Sequence, residues 1–191
     1  MNQSNVTGIS NNVRKWLCAG SISWTLCIMG CADDPSPVNA KELITTVIVE
    51  LTPLTDGGNA VTLRYYDEDG IGNIAPVKTI SGPLDADQVY TGEVRFLNET
   101  ESPAEEVTEE ILEEANDHLL CYVVTSLDAE IESVDDDDNA RPIGLATLWS
   151  VGSASAGNVK ITLRHQPGTK TGVCPGPGDT DIDVDFDLIV H

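Results

Sequence analysis

Residues 179–191 read DTDIDVDFDLIVH, in which aspartate alternates with another residue over five cycles. Successive side chains of a β-strand point to opposite faces of the sheet. The spacing therefore predicts a strand with its carboxylates in water and Ile182, Val184, Phe186 and Leu188 in the core. Burial of each apolar side chain contributes about 1.5–3 kcal/mol. This exceeds the repulsion between neighbouring aspartates, about 0.6 kcal/mol per pair in water, so we interpret the row as the solvated side of a core strand.

The same two-residue period recurs through most of the chain. It is clearest in four segments, ELITTVIVELTP (42–53), NAVTLRYYD (59–67), VYTGEVRFLN (89–98) and NVKITLRHQ (158–166). Turns rich in Gly, Asn, Asp and Pro separate the segments and indicate antiparallel connections. Strands with one apolar face pack as two sheets. The pattern predicts an all-β fold, a two-sheet antiparallel β-sandwich of immunoglobulin or transthyretin type.

One acidic segment, ESPAEEVTEEILEEANDHLL, breaks the β pattern and predicts a short helix inserted into the sandwich. Ser102 can cap this helix, Pro103 suits its first turn, and Glu105 completes a capping box. An apolar residue recurs every fourth position at Val107, Ile111 and Ala115. We expect this narrow stripe to lie against the sandwich.

The N-terminal region has the features of a bacterial lipoprotein signal. Arg14 and Lys15 precede an uncharged run that ends at Gly30, and this run is shorter than the roughly 20 residues of a transmembrane helix. The four residues IMGC, which end at Cys31, resemble a lipobox, in which the cysteine becomes lipidated. We predict a signal peptide at 1–30, a lipidated tether at 31–41 and the β-sandwich domain at 42–191. An ordinary signal peptide with an incidental Cys31 is the alternative.

The acidic character of the chain limits its partners. The formal net charge is −22, with 10 Lys and Arg against 32 Asp and Glu. Such a surface excludes nucleic acid and anionic membrane faces, which bind Lys and Arg, and it favours cations. We expect contact with a membrane through the lipid anchor alone, and an envelope protein or a glycan as a further partner.

Several segments resemble, in the same order, a family of small lipoproteins of Bacteroidetes. They are ELITTVIVELTP, VRFLNETESPAEEVTEEILEEANDH, ITLRHQPG and DTDIDVDFDLIV. Asp33 and Asp34 after Cys31 are similar to the acidic export signal of such lipoproteins, which implies an outer-membrane protein displayed on the cell surface; a merely soluble linker is the alternative. The resemblance implies no activity. Some members carry the label of a type 1 periplasmic-binding fold, but this chain lacks the alternating βα units of that fold.

Two turns are candidate calcium sites. Asp67, Asp69 and Asn73 occupy positions 1, 3 and 7 of an EF-hand-like loop, although positions 5 and 12 lack oxygen ligands. The second candidate, with Asp135 and Asp137, lies in the run DDDDN at 135–139. A plain hairpin turn and a solvated loop are the respective alternatives, so the sequence establishes no cofactor and Ca²⁺ is a candidate.

A transition-metal site is the other candidate. His118 follows the acidic helix with Glu114 one turn before it, and His165 shares a strand face with Val159, Ile161 and Leu163. If the two histidines meet in space, they and Glu114 can ligate a metal. A helix-terminal His118 and a hydrogen-bonded His165 at the core edge are the alternatives, because the spacing contains no HxH or HExxH motif.

No catalytic motif accompanies these candidates. The chain has no G-x-S-x-G elbow, P-loop or zincin motif, so we do not expect an enzyme; a hydrolase with an unrecognised site is the alternative. Cys121 and Cys174 are the two cysteines of the folded domain, and the sequence leaves open whether they pair. The predicted function is a lipid-anchored binding or structural module of the cell envelope, with metal binding as the alternative.

Overall fold

Ten strands and one short helix follow one another in residues 43–70 and 72–191, the residues that the computed structural model describes. The predicted signal peptide, Cys31 and the tether lie outside these residues. The first five strands are β1 Thr46–Pro53, β2 Val61–Tyr66, β3 Val77–Ile80, β4 Val89–Asn98 and β5 Glu105–Glu106. After the helix α1 Val107–Glu113 come β6 His118–Thr125, β7 Ala129–Ser133, β8 Ala146–Val151, β9 Ser155–His165 and β10 Asp179–Val190.

The strands form two antiparallel sheets, which confirms the predicted all-β sandwich. The larger sheet has the order β3-β2-β1-β4-β8-β7, with β5 paired to β4. The smaller sheet has the order β10-β9-β6. The candidate ligands belong to the smaller sheet and to the helix that precedes it.

The core lies between the apolar faces that the alternation predicts. Its largest buried side chains are Trp149, Tyr90, Phe96 and Phe186. The inward positions of the smaller sheet include Val159, Ile161, Leu163, Val184, Phe186 and Leu188. These side chains are shielded from water, so their burial fixes which face of each strand turns inward.

The helix is shorter than the sequence predicts. It begins at Val107, and the predicted cap at Ser102 and capping box at Glu105 are wrong. Glu105 and Glu106 instead pair with Asn98 and Leu97 of β4, so their main chain is extended. Strand pairing satisfies the backbone groups that a longer helix would have used. The apolar stripe is confirmed, since Val107 and Ile111 are buried.

No helix among the described residues has the length and apolar content required to cross a membrane.

A β-bulge divides the aspartate row of β10. Thr180 pairs with Arg164 and Ile182 pairs with Leu163, so Asp181 is the extra residue on this strand. Beyond the bulge the prediction holds, because Asp183 and Asp185 face outward and form ion pairs with lysines. The prediction of one uninterrupted solvated row is wrong at Asp181, whose side chain is only 8% exposed.

Two substitutions on β10 test the assignment of its faces. Phe186 is fully buried, so Phe186→Ala is expected to lower the free energy of unfolding by about 3–5 kcal/mol. Ile189 is 59% exposed on the same strand, and Ile189→Ala is expected to change it by no more than about 0.5 kcal/mol. Urea denaturation measures both. Equal losses would contradict the assigned faces.

Candidate metal centre

Two histidines meet at one end of the smaller sheet. His118 is the first residue of β6 and His165 the last of β9, and the two are paired across the strands. Neighbouring strands lie about 4.7–4.9 Å apart. The imidazole rings accordingly stack, with 4.8 Å between their centroids and 21° between their planes. Pairing of β6 with β9 therefore brings together the two histidines, which the sequence analysis could state only as a condition.

Glu114 completes the predicted trio. It follows the last residue of α1, and its carboxylate lies 4.0 Å from Nε2 of His165. One potential ligand atom from each of Glu114, His118 and His165 lies within 4.8 Å of the other two. No other group of three His, Cys, Asp or Glu within residues 43–70 and 72–191 is placed in this way.

His118 is held in one orientation. The residue is 1% exposed, and its Nδ1 lies 3.2 Å from the main-chain carbonyl oxygen of Glu114. A carbonyl oxygen only accepts, so Nδ1 carries the proton and donates it. Nε2 of the neutral ring is then the nitrogen with a free lone pair. Hydrogen bonding of one ring nitrogen to a carbonyl is the usual support of a metal-ligating histidine.

The environment favours the neutral form of His118. Burial lowers the pKa of His118 below its ordinary value, and the neighbouring charge of His165 lowers it further. The hydrogen bond to Glu114 and the carboxylates of Asp181 and Asp117 act in the opposite direction without cancelling the effect of burial. At neutral pH the ring is therefore in the form that binds a metal.

Asp181 is a residue of this site that the sequence analysis missed. Its Oδ2 lies 3.9 Å from Nε2 of His118, and both side chains are nearly inaccessible to water. The bulge turns Asp181 away from the outward row, but the Asp-X alternation continues through it without interruption. The sequence therefore contains no signal that separates Asp181 from its neighbours.

The loop 166–178 joins β9 to β10 and is fixed by a buried lysine. The ammonium group of Lys170 donates to the carbonyl oxygen of Ala115, at 2.8 Å, and lies 2.9 Å from Oδ2 of Asp137. Both side chains of the ion pair are fully buried. Burial raises the pKa of Asp137, but Lys170 and the N–H groups of Arg141 and Asn139 outweigh it, so the net shift is downward. The carboxylate is thus stabilised in its charged form.

A disulfide fastens the same loop to β6. Cys121 and Cys174 are bonded, with 5.6 Å between their Cα atoms and 53 residues between them in sequence. This answers the pairing question that the sequence left open. A cross-link over a long chain segment restricts the unfolded state. It also holds the loop that links His165 to Asp181.

Asp135 and Asp137, the candidate calcium ligands in the run 135–139, already accept hydrogen bonds from other groups of the protein. Asp135 accepts hydrogen bonds from three successive main-chain N–H groups, those of Gly144, Leu145 and Ala146. Asp137 accepts from the N–H groups of Asn139 and Arg141 in addition to its ion pair. The two carboxylates therefore organise the loop.

The turn at 67–73 is stabilised in a similar way. Oδ2 of Asp69 accepts from the main-chain N–H groups of Asn73 and Ile74, at 2.8 and 3.0 Å. These hydrogen bonds, that of Ile74 first, lower the pKa of Asp69 below its ordinary value. Asp67 donates its N–H to the carbonyl oxygen of Thr45. Calcium binding by Asp67, Asp69 and Asn73 stays a prediction.

Two surface pockets lie elsewhere on the domain. One, of about 440 Å³, is lined by residues that include Ser126 and Asp187, and the other, of about 280 Å³, by residues that include Ile80 and His191. None of the predicted ligands lines either pocket. The hydrolase alternative stays a prediction.

Comparison of the chain with family models, curated proteins and solved structures gave no match. The resemblance to lipoproteins of Bacteroidetes therefore stays a prediction.

A pair of lysine substitutions tests the role of the buried ion pair. Lys170→Met leaves Asp137 charged and buried, so it is expected to lower the free energy of unfolding by about 3–5 kcal/mol. Lys160→Met is the matched control, because Lys160 also lies 2.9 Å from an aspartate, but both side chains are more than 40% exposed. The control is expected to lose no more than about 1 kcal/mol. Urea denaturation measures both, and equal losses would show that the buried pair does not hold the loop.

Proposed function

We propose that this domain binds one divalent transition-metal ion of the zinc class through His118, His165 and Glu114. The observation that carries the proposal is the approach of their three ligand atoms to within 4.8 Å of one another at one end of the smaller sheet. Two imidazoles and a carboxylate form one of the ligand sets by which proteins bind zinc without cysteine. The protein as a whole is then a lipid-anchored envelope protein that carries a metal.

The stacked rings of His118 and His165 hold their lone pairs side by side, so the half-exposed Glu114 and the His165 ring have to rotate before all three ligands can bind one ion. Ligands about 2.1 Å from a tetrahedral metal lie about 3.4 Å from one another. The 4.0 Å between His165 and Glu114 is close to this value. The Glu114 side chain is 47% exposed, so it can rotate toward the ion without disturbing the core. The buried His118 provides the fixed ligand around which the other two close.

Charge also supports cation binding. A net charge of −22 attracts cations toward the whole surface and raises their local concentration. The acidic residues 109–110 and 113–114 at and beside the end of α1 lie next to the site in sequence. A metal bound there would relieve part of the repulsion among these carboxylates.

Two observations support a location outside the cytoplasm. Disulfides persist in oxidising compartments, and Cys121 and Cys174 are bonded here. The residues IMGC, with Cys31 at their end, resemble a lipobox, and the acidic tether is similar to an export signal for the bacterial cell surface. We therefore place the protein on the outer membrane, anchored by lipid at Cys31. A surface component that acts without metal is the alternative.

Zinc titration tests the proposal. Wild-type protein, first stripped with a chelator, is expected to bind one Zn²⁺ per chain in equilibrium dialysis, and His118→Ala is expected to weaken binding by more than about tenfold. His191→Ala is the matched control, since it removes an exposed histidine at the chain end and is expected to bind like wild type. Equal uptake by the His118 and His191 variants would reject the site.

Fractionation tests the anchor. Cys31→Ser removes the residue that would carry the lipid, so the protein is expected to move from the membrane fraction to the soluble fraction. Cys18→Ser, within the predicted signal peptide, is the control and is expected to leave the protein with the membranes. Unchanged membrane association of the Cys31 variant would contradict lipidation.

A further inference from the structure

We propose that the edge of β10 binds an extended, basic segment of another protein, which adds to the smaller sheet as a further strand. The proposal concerns the part of β10 beyond the bulge, toward its C-terminal end, and it does not depend on the metal. Two observations carry it. One is a main-chain edge flanked by carboxylates, and the other is an apolar groove beside that edge.

The main chain of β10 offers hydrogen-bonding groups along its outer edge. β10 pairs with β9 on one side, and on the other side the described part of the chain pairs with it only in a short segment that begins at Leu84. There the N–H of Leu84 donates to the carbonyl oxygen of Ile189, and the N–H of His191 donates to that of Leu84. Main-chain groups of a strand alternate in direction with a period of two residues. The N–H and C=O groups of Asp185 and Asp187 therefore also point away from β9, toward the space of an added strand.

The carboxylates on this edge select the partner. Asp185 lies 3.0 Å from the ammonium group of Lys78, whereas the exposed Asp187 accepts a hydrogen bond from the side-chain amide of Asn158. Opposite charges on directly opposed residues of neighbouring strands stabilise the pairing, and like charges destabilise it. A strand with Lys or Arg at alternate positions would place its cations beside these carboxylates.

The pairing of β9 with β10 shows the same match within the protein. Lys160 lies opposite Asp185 in the register, and its ammonium group is 2.9 Å from Asp183. A basic residue on a neighbouring strand thus reaches the carboxylates of β10. An added strand would repeat this arrangement on the other side.

The same charges disfavour a second copy of this chain as the occupant. If the β10 edges of two copies paired, the outward aspartates of one would lie beside those of the other, and like charges across strands are destabilising. Charged edge residues are a common means of preventing such pairing. With a net charge of −22, two copies also repel one another before contact. The occupant is therefore a different and basic chain.

An apolar groove lies beside this edge, where β3 and the turn after it meet the end of β10. Two of its large apolar side chains, Ile80 and Ile189, are 37% and 59% exposed. Its volume of about 280 Å³ is at the lower limit of small-molecule pockets, about 300–1,000 Å³, so it fits one side chain better than a whole ligand. The groove is lined by Ile80, Gly82, Pro83, Asp187, Ile189 and His191.

The edge and the groove together define the chemistry of the partner. When a peptide adds to a sheet edge, main-chain hydrogen bonds provide affinity and pockets for individual side chains provide specificity. Here the edge groups of Asp185 and Asp187 provide the hydrogen bonds, and the groove accepts an aliphatic side chain. The partner segment therefore has Lys or Arg at alternate positions and a Val, Ile or Leu next to them.

A synthetic peptide tests the proposal. The probe is a short capped peptide in which Lys alternates with Val or Ile, and fluorescence anisotropy measures its affinity for the full-length protein. The control peptide has the same composition, but all of its Lys residues precede the apolar ones. The alternating peptide is expected to bind at least about tenfold more tightly at equal salt concentration. Equal affinities would show attraction by charge alone and would overturn strand addition.

Two substitutions at Asp187 separate the main chain from the charge. Asp187→Pro removes both the carboxylate and the edge N–H, and proline is tolerated where the N–H of an edge strand faces solvent. Asp187→Asn removes the charge and keeps the N–H. The proline variant is expected to bind the alternating peptide at least about tenfold more weakly than wild type, and the asparagine variant about two- to threefold more weakly. Equal binding by two folded variants, verified by their melting temperatures, would contradict the proposal.

A substitution in the groove gives a test that leaves the main chain unchanged. Ile189→Ala is expected to weaken binding of the alternating peptide by about fivefold, because the partner's aliphatic side chain loses its contact. Val123→Ala is the matched control, since Val123 is 53% exposed on β6 of the same sheet and lies outside the groove. Equal affinities of these two variants would exclude the groove from the site.

Sedimentation of the protein alone distinguishes the other occupant. The wild-type protein is expected to be monomeric at the concentrations at which the peptide binds. A dimer that Asp187→Pro converts to monomers would identify a second copy as the occupant and would overturn the basic partner. His118→Ala is expected to bind the peptide like wild type, so failure of the metal site leaves this result unaffected.

Discussion

The arrangement at this end of the domain depends on one buried ion pair, that of Lys170 with Asp137. A buried ammonium group is tolerated only when charge and hydrogen bonds compensate its lost hydration. Here the carboxylate lies at 2.9 Å and the carbonyl oxygen of Ala115 accepts at 2.8 Å. The ion pair and this hydrogen bond thereby join three segments that are distant in sequence. These are the end of α1, the loop at 135–141 and the loop at 166–178.

This constraint acts together with the disulfide on the loop between β9 and β10. His165 lies immediately before the loop and Asp181 shortly after it, so whatever fixes the loop also fixes the separation of these two side chains. The carbonyl of Ala115 belongs to the same turn as Glu114, whose own carbonyl orients His118. The residues around the proposed metal are thus positioned by groups that do not touch it, which is how precise sites are usually supported.

Much of the fold could be predicted from the sequence, because burial imposes a two-residue period on each strand. Val159, Ile161 and Leu163 are buried as that period requires. The start of the helix could not be predicted from the sequence. Glu105 and Glu106 pair with β4, and this tertiary contact outweighs the local capping signal. Glu114, His118 and His165 were predicted as a set only on the condition that the chain brings them together. Asp181 was missed because a bulge depends on strand pairing and leaves no mark in an alternating sequence.

The bulge also determines how variation in this strand is to be interpreted across related chains. An alignment would treat the aspartates of the repeat as equivalent, because their spacing is constant from Asp179 to Asp187. In the folded protein they lie in different surroundings, so we expect them to tolerate different substitutions. Asp183 and Asp185 keep the surface charged, a task that Glu also performs, whereas Asp181 occupies a buried position beside His118. We therefore expect positions within one repeat to vary at different rates, with the boundary at the bulge, where the strand gains a residue.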